Sequence, residues 1–325
     1  MDLKKMAILD RKDTVKITEN DAKKIRDAFP DIEVLLCYSV EELIDAGGTD
    51  VDMMLTWSTP GNVTPELVEF CRTAPKLKWI QSMITGMDAL LASDIGKMGI
   101  RLTATRGIHG FSMADQVLAF IFSFLRAFPD MQRFQERKEY PMDAGHLLDE
   151  SWGKTVGIVG LGRIGQFIAK KCSALGFRVL GLKRRPIECE GVEHCYSNNE
   201  MAEMLGQCDF VVLVTPLTPE TENLIGAKEL KMMKKSARLI NVARGGVVDT
   251  EALIAALKDG TIAGAGLDAF AEEPLPPSSP LWDLPNVIIT PHVAGQTPFY
   301  NERAFEVILE NIRRFRNDEA LLFEE

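Results

Sequence analysis

The sequence predicts an α/β fold of two domains, each a parallel sheet covered by helices, with a cleft between them. Three observations carry this. The chain has 325 residues, enough for two domains at roughly 100–200 residues each. Short apolar runs alternate with helix-patterned stretches in both halves, the rhythm of strand–helix–strand units. A glycine-rich junction near residue 160 joins one such run to a helical stretch.

In the first hundred residues, 34–36, 53–55 and 79–81 read as strands, and 67–71 and 89–92 as helical. Residues 113–128, MADQVLAFIFSFLRAF, form an almost continuously apolar helix closed by Pro129. Apolar character all round places it in the core or against another subunit. It is too short to span a membrane, and Asp115 and Arg126 lie within it. A second rhythm begins at Thr155. TVGIVG is a strand, GRIGQFIAKKCSALG a helix and FRVLGLK a strand. FVVLVT, ARLINVA, AGAGLDAF and VIITPHV follow as further strands. Repeated crossover units of this kind build a parallel sheet with both faces covered. The last helix, 301–316, is amphipathic and rich in charge, and is expected to return to the first domain. The expected boundaries are a discontinuous domain of 1–104 plus 293–325 and an inserted domain of 105–292.

A composition of 46% apolar and 26% charged residues is that of an ordinary globular chain whose core needs no disulfides. Two of the six cysteines, Cys172 and Cys208, sit inside apolar patterned stretches and read as small hydrophobes in a reducing compartment. The start, MDLKKMAILD, lacks a signal-peptide apolar core, and no apolar run reaches spanning length. A cytoplasmic location with no membrane partner is the expectation. A formal net charge of −10 argues against general nucleic-acid binding, which needs a basic face. An anionic ligand then requires a local positive site. Cys189 and Cys195 lie near His194, but the spacing matches no common zinc pattern. A solvated loop is expected there, and no metal.

Gly160, Gly162 and Gly165 fall in G-x-G-x-x-G register between an apolar strand and a helix, the context that makes the pattern a dinucleotide (Rossmann) fingerprint. Gly160 permits the tight turn, Gly162 lets backbone approach a pyrophosphate, and Gly165 lets helix pack on strand. The phosphates would meet the positive end of the helix. The next strand, 177–182, ends where an NAD site carries a ribose-binding acid about 20 residues into the motif's wake. Lys183, Arg184 and Arg185 stand there instead. A basic cluster attracts a 2′-phosphate, so NADP(H) is the expected cofactor, with NAD(H) possible. The other reading is a solvated basic turn, with Glu188 or Glu190 reaching the ribose.

From Thr155 to Thr297 the chain resembles the D-isomer-specific 2-hydroxyacid dehydrogenases, a family that includes glyoxylate/hydroxypyruvate reductases and phosphoglycerate dehydrogenases. The matching segments are GIVGLGRIG (157–165), TPLTPETENLIG (215–226), LINVARGGVVD (239–249), GLDAFAEEPLP (266–276) and ITPHVAGQT (289–297), in family order and spacing. QSMITGMD (81–88) and RGIHGFSMADQVLA (106–119) extend the match into the first domain. The resemblance implies a flavodoxin-like substrate-binding domain and a NAD(P)-binding Rossmann domain. It implies a catalytic trio of Arg244, Glu273 and His292. The residues suit the chemistry. Reduction of a 2-keto acid leaves negative charge on the carbonyl oxygen, and a general acid must protonate it. Histidine titrates near neutrality, and a carboxylate partner favours its charged form and orients the ring. A guanidinium fork can grip the substrate carboxylate and polarise the carbonyl. Glu272 neighbours Glu273, but the family's carboxylate directly precedes proline, which selects Glu273. Of the four histidines, only His292 lies at a strand end followed by a small-residue turn.

By the same resemblance Asp268 lies near the nicotinamide carboxamide, and Thr215 and Pro216 line the cofactor cleft. Val242 and Ala243 offer backbone groups on the nicotinamide side, and Arg163, Ile164, Thr221 and Gly295 join the cofactor site. Thr85 and Gly86 receive the substrate carboxylate through backbone N–H groups. Two departures from the family pattern occur: Lys183 replaces the frequent ribose-binding acid, and Ala114, Asp115 and Gln116 stand where Ala-Glu-His is common. The implied activity is reversible NAD(P)H-dependent reduction of a small 2-keto acid to the D-2-hydroxy acid, in a homodimer. Glyoxylate, hydroxypyruvate, phenylpyruvate-like acids and 2-ketopantoate are all open, and the side chains around 57–59 and 83–85 are expected to choose among them. Glu273 argues against a formate dehydrogenase, and the basic cluster against a phosphonate dehydrogenase that relies on NAD. The alternative is a nucleotide-sensing, corepressor-like protein of the same fold without turnover, since fold does not settle function.

Overall fold

Aliphatic strands of three to five residues, alternating with capped helices, build two parallel sheets in the computed structural model, which describes residues 2–11, 17–59 and 61–325. The chain divides into two units, Met1–Ile108 with Thr297–Glu325, and His109–Gln296.

The first unit runs β1 (Lys5–Leu9), α1 (Glu19–Ala28), β2 (Glu33–Cys37), α2 (Val40–Asp45), β3 (Met53–Thr56), α3 (Pro65–Thr73), β4 (Trp79–Ser82), α4 (Asp88–Ala92) and β5 (Arg101–Thr103). Its sheet has the order β2-β1-β3-β4-β5, all parallel, with Met6 opposite both Val34 and Met53. Helix starts are written locally. Thr18 and Asp21 form a reciprocal cap on α1, and Thr64 caps α3 with Pro65 in the first turn, satisfying N–H groups that lack intrahelical partners. The C-terminal helix α11 (Tyr300–Arg316) lays Ala304, Phe305, Ile308, Ile312 and Phe315 into the core of this unit, with the Phe315 ring 5.2 Å from that of Trp79. That spacing is one helical face.

The second unit runs α5 (Gly110–Leu125), α6 (Phe128–Arg137), β6 (Thr155–Val159), α7 (Arg163–Ala174), β7 (Arg178–Leu182), β8 (His194–Tyr196), α8 (Met201–Leu205), β9 (Phe210–Leu213), α9 (Ala227–Met232), β10 (Arg238–Asn241), α10 (Thr250–Lys258), β11 (Gly264–Leu267) and β12 (Val287–Ile289). The parallel order β12-β11-β10-β9-β6-β7-β8 puts β6 centrally. The chain leaves β6 toward β7 on one side and returns to β9 on the other, a topological switch point where open α/β sheets bind ligands. Strand β9 shows how both faces are covered: Phe210 and Val212 pack with α5 and α7 residues, while Val211 and Leu213 pack with Leu253 and Leu257 of α10. Cys172 and Cys208 are buried in these two layers, and burial pushes each thiol up to about 12.

Two elements differ from the expectation. The apolar stretch is two helices, not one. Helix α5 ends at Leu125, Ala127 turns left-handed (φ 48°), and α6 begins at Phe128, bent by 62°. Pro129 opens α6 instead of closing α5, because a first-turn residue needs no intrahelical N–H bond. Among the described residues no single helix is long and apolar enough to cross a membrane. The segment around Cys189 and Cys195 is not wholly a loop. His194–Tyr196 is the edge strand β8, paired with β7 from Leu180↔His194 to Leu182↔Tyr196, and Cys195 is half-buried. Three residues, HCY, are too few to display a strand period.

Candidate active site

Strand β6 delivers the glycine-rich turn. Gly160 sits at φ 107°, a conformation that favours glycine, and a Cβ on Gly165 would fall 2.2 Å from the Gly160 carbonyl oxygen, so α7 can start this close to the strand only without side chains. Gly162 differs. Its backbone is extended, and a Cβ there would meet no protein atom within 4 Å. Neither conformation nor internal packing requires glycine at 162, whereas close approach of a ligand would. Beside this turn the buried Thr215 hydroxyl has no hydrogen-bond partner among the described residues. An orphaned buried hydroxyl is costly unless a ligand satisfies it. Together with the α7 N-terminus, these features fit a dinucleotide pyrophosphate. Arg163 and Ile164 form the first turn of α7, Arg163 exposed and Ile164 half-buried.

The basic cluster follows β7 directly. Lys183 Nζ donates to the Leu161 carbonyl inside the glycine-rich turn at 3.2 Å, and Arg184 and Arg185 are exposed. Glu190, one acid that could compete for a ribose, pairs with Lys170 at 3.1 Å. Pro216 is exposed, and Thr221 spends its hydroxyl on the Pro216 carbonyl at 2.6 Å, closing the 216–221 turn.

Strand β10 delivers Arg244. The buried Asn241 side chain holds the turn at both ends, accepting from the Ala243 N–H and donating to the Arg244 carbonyl, each at 3.0 Å. The Val242 N–H donates to Leu213, so Val242 and Ala243 can present carbonyls but not N–H groups to a ligand. The Arg244 guanidinium is exposed, with Nη1 on the Ala243 carbonyl at 2.9 Å. Gly245 brings this turn onto the loop after β11: a Cβ there would lie 1.8 Å from the Phe270 carbonyl carbon. That loop carries Glu273. Glu273 Oε1 accepts the Phe270 N–H at 2.9 Å, and Oε2 lies 2.7 Å from His292 Nδ1. Both side chains are more than a third exposed, so their Coulomb attraction is screened toward the weak, solvated limit. The bond orients more than it stabilises. A carboxylate can only accept from Nδ1–H, so Nε2 is left as the nitrogen that can give or take a proton.

His292 lies at φ 54°, in the left-handed region, which a non-glycine residue keeps only when its surroundings hold it. Asp268, at the end of β11, does so. It is 1% exposed and receives the Thr290 hydroxyl, the Val293 N–H and the Ala294 N–H. Both its oxygens are spent on the His292 turn. Gly295 is the next residue, and its carbonyl lies 3.2 Å from His109 Nδ1 and 3.3 Å from Ser112 Oγ. Arg244, Glu273, His292 and Asp268 are thus gathered at the carboxyl ends of β10, β11 and β12. Sequence reasoning does not single out His109, because its partner, 186 residues away, is set by the fold, nor Asn241, whose bonds within its own turn follow no sequence pattern.

In the first unit, Thr85 and Gly86 lie in the loop after β4. Thr85 donates its hydroxyl to the Thr105 carbonyl at 2.9 Å, Ser58 donates to the Gly86 carbonyl at 2.5 Å, and Tyr300 donates to the Met83 carbonyl at 2.7 Å. The Tyr300 ring stacks on Trp57 at 5.8 Å. Among the described residues no cluster of three or more His, Cys, Asp or Glu could hold a metal.

Residues 118–294 match the family model for the D-isomer specific 2-hydroxyacid dehydrogenase, NAD binding domain. A glyoxylate reductase of Thermococcus onnurineus is 37% identical over 320 residues, covering 94% of this chain and 92% of that protein. The crystal structure of a D-isomer specific 2-hydroxyacid dehydrogenase from Xanthobacter autotrophicus, in complex with NADPH and MES, superposes with a TM-score of 0.81 at 31% identity, covering 100% of this chain and 98% of that one. An NADPH-dependent glyoxylate/hydroxypyruvate reductase from Sinorhizobium meliloti, with NADP and sulfate, gives 0.81 at 28% identity, covering 99% and 98%.

Proposed function

The chain belongs to the D-isomer-specific 2-hydroxyacid dehydrogenase family, and on that premise we propose that it reduces a small 2-keto acid of the glyoxylate or hydroxypyruvate type to the D-2-hydroxy acid, with NADPH preferred. It is an oxidoreductase with a nicotinamide-binding domain. The observation that carries the reading is the 2.7 Å contact between His292 Nδ1 and Glu273, on a loop packed against the Arg244 turn.

The nicotinamide, when bound, supplies the hydride that adds to the carbonyl carbon. His292 Nε2 delivers the proton to the carbonyl oxygen, while Nδ1–H stays on Glu273, which keeps ring and tautomer fixed. Arg244 binds the substrate carboxylate and draws charge onto the carbonyl oxygen. In the first unit, Thr85 and Gly86 offer backbone N–H groups for a substrate carboxylate. In the oxidation direction the neutral Nε2 is the base that removes the hydroxyl proton. Asp268 keeps His292 in place, which supports a positioning role beside any contact with the carboxamide. Gly160, Gly162, Gly165 and the orphaned Thr215 hydroxyl hold the pyrophosphate, with Arg163, Ile164, Pro216, Thr221, Val242, Ala243 and Gly295 around the cofactor. Lys183, Arg184 and Arg185 take the 2′-phosphate. The Lys170–Glu190 pair supports NADPH over NADH, since it engages one acid that could otherwise serve a ribose.

A homodimer is part of the proposal. Phe128, Tyr140, Met142 and Trp152 are all more than half exposed, and no residue of α6 is buried. Large apolar side chains clustered in one exposed stretch mark an interaction surface.

The test is absorbance decay at the nicotinamide band, with NADPH and NADH run in parallel against glyoxylate, hydroxypyruvate, phenylpyruvate and 2-ketopantoate. Decay with glyoxylate or hydroxypyruvate and faster turnover with NADPH is expected. No decay with any acid would refute the reductase reading.

A further inference from the structure

We infer that His109 is a positioning residue for the reduction: its ring, bonded through Nδ1 to the Gly295 carbonyl, holds the far end of the turn that carries His292. The inference rests on the reading of His292 as proton donor. Asp268 restrains residues 290, 293 and 294 of that turn and reaches no further. The next carbonyl, that of Gly295, lies 3.2 Å from His109 Nδ1. Ser112 Oγ lies 3.3 Å from the same oxygen and 3.2 Å from the His109 carbonyl. A hydroxyl has one proton, so when Ser112 serves the His109 carbonyl the imidazole N–H remains as donor to Gly295. The fit is close: a Cβ on Gly295 would fall 3.0 Å from Nδ1, so the ring lies directly against the turn's backbone.

The charge state suits this role. Burial of the ring holds its pKa below the ordinary histidine value, the Gly295 bond opposes that, and the Arg244 cation adds to it. The ring is therefore neutral at physiological pH. Since a carbonyl only accepts, Nδ1 carries the proton. The effect of His109 passes through the left-handed turn at His292, which Asp268 holds on one side and His109 on the other. Two clamps suit a non-glycine residue at φ 54°, a conformation that relaxes once its surroundings loosen.

The experiment uses the full-length protein and a double-mutant cycle. His109→Phe keeps a ring and drops the N–H, and His109→Asn keeps an N–H near the Nδ1 position. His109→Phe should lower kcat by about tenfold or more, as small misplacements of a reacting group do, while KM and the NADPH Kd stay within about threefold. His109→Asn should keep kcat within about threefold of the unmodified protein. On a His292→Ala background, His109→Phe should cause no further loss, because its effect acts through His292. Unchanged kcat in His109→Phe would overturn the inference, as would an Asn variant as impaired as the Phe variant, or losses that add on the His292→Ala background. If the Phe variant does not fold, the Asn variant decides, and a loss beyond about tenfold there overturns the inference. Turnover retained by His292→Ala alone would remove the reading beneath the inference, and the inference with it.

Discussion

Gly245→Ala adds one methyl group where the Arg244 turn meets the Glu273 loop. An ideal Cβ there falls 1.8 Å from the Phe270 carbonyl carbon, 2.1 Å from the Ala271 nitrogen and 2.2 Å from the Phe270 oxygen. All three are backbone atoms and cannot rotate away. Carbon atoms rest at about 3.5–4.0 Å, so one segment must move by roughly 2 Å. The Arg244 turn is tied at both ends by Asn241. The Phe270 segment has more freedom, because a cavity of about 320 Å³ lined by Val248, Ile254, Leu267, Phe270 and Leu275 lies against it. The loop is expected to yield, carrying Glu273 with it through the Phe270 N–H bond. A misplacement of about 1 Å near the chemistry costs about a hundredfold in rate, and overpacking costs about 1–3 kcal/mol of stability. The available cavity puts the stability loss at the lower end. The assay is kcat with NADPH and glyoxylate, beside thermal unfolding of the same preparation. A folded variant with kcat within about threefold of the parent would refute the idea that this contact sets the Glu273 loop.

Glu273→Gln places an amide where a carboxylate accepts from both Phe270 N–H and His292 Nδ1. With the amide oxygen on the Phe270 N–H, the amide NH2 faces Nδ1 and the ring must accept there instead of donating, so the tautomer and the anionic partner are lost, and kcat at neutral pH should fall by about tenfold or more with NADPH affinity unchanged; a normal rate would take Glu273 out of the mechanism. Replacing Lys183 and Arg184 together with alanine should weaken NADPH binding by about tenfold or more and NADH binding far less, measured by cofactor fluorescence; equal losses would contradict the 2′-phosphate role. Replacing Met142 and Trp152 with aspartate should shift the light-scattering mass from dimer to monomer, and a monomeric parent protein would contradict the proposed interface.

What the sequence disclosed depended on how local each requirement is. The turn at 160–165 was legible because its demands fall on glycines within six residues of one another. Strands such as Met53–Thr56 were legible from apolar character alone. The break at Ala127 was not, because FLRAF keeps an apolar helical pattern and Pro129 suits both the end of one helix and the start of the next. Strand β8 is an edge of three residues with no period to read. In the site, the family resemblance points to Glu273 rather than Glu272 through its place before proline, and Glu273 Oε2 is the oxygen on His292 Nδ1. The work of Asp268, with donors 22 to 26 residues away, and of His109, bonded to Gly295, depends on tertiary contacts that no sequence spacing reveals.

In the proposed mechanism His292 supplies the proton, and the nicotinamide site is built elsewhere in the same unit. Rapid mixing of the His292→Ala variant with NADPH and glyoxylate, beside a titration of NADPH alone, tests both halves. The expected rate is lower by about 10²–10⁴-fold, with NADPH affinity within about threefold of the parent. A rate within about tenfold of the parent, or loss of NADPH binding along with the rate, would contradict it.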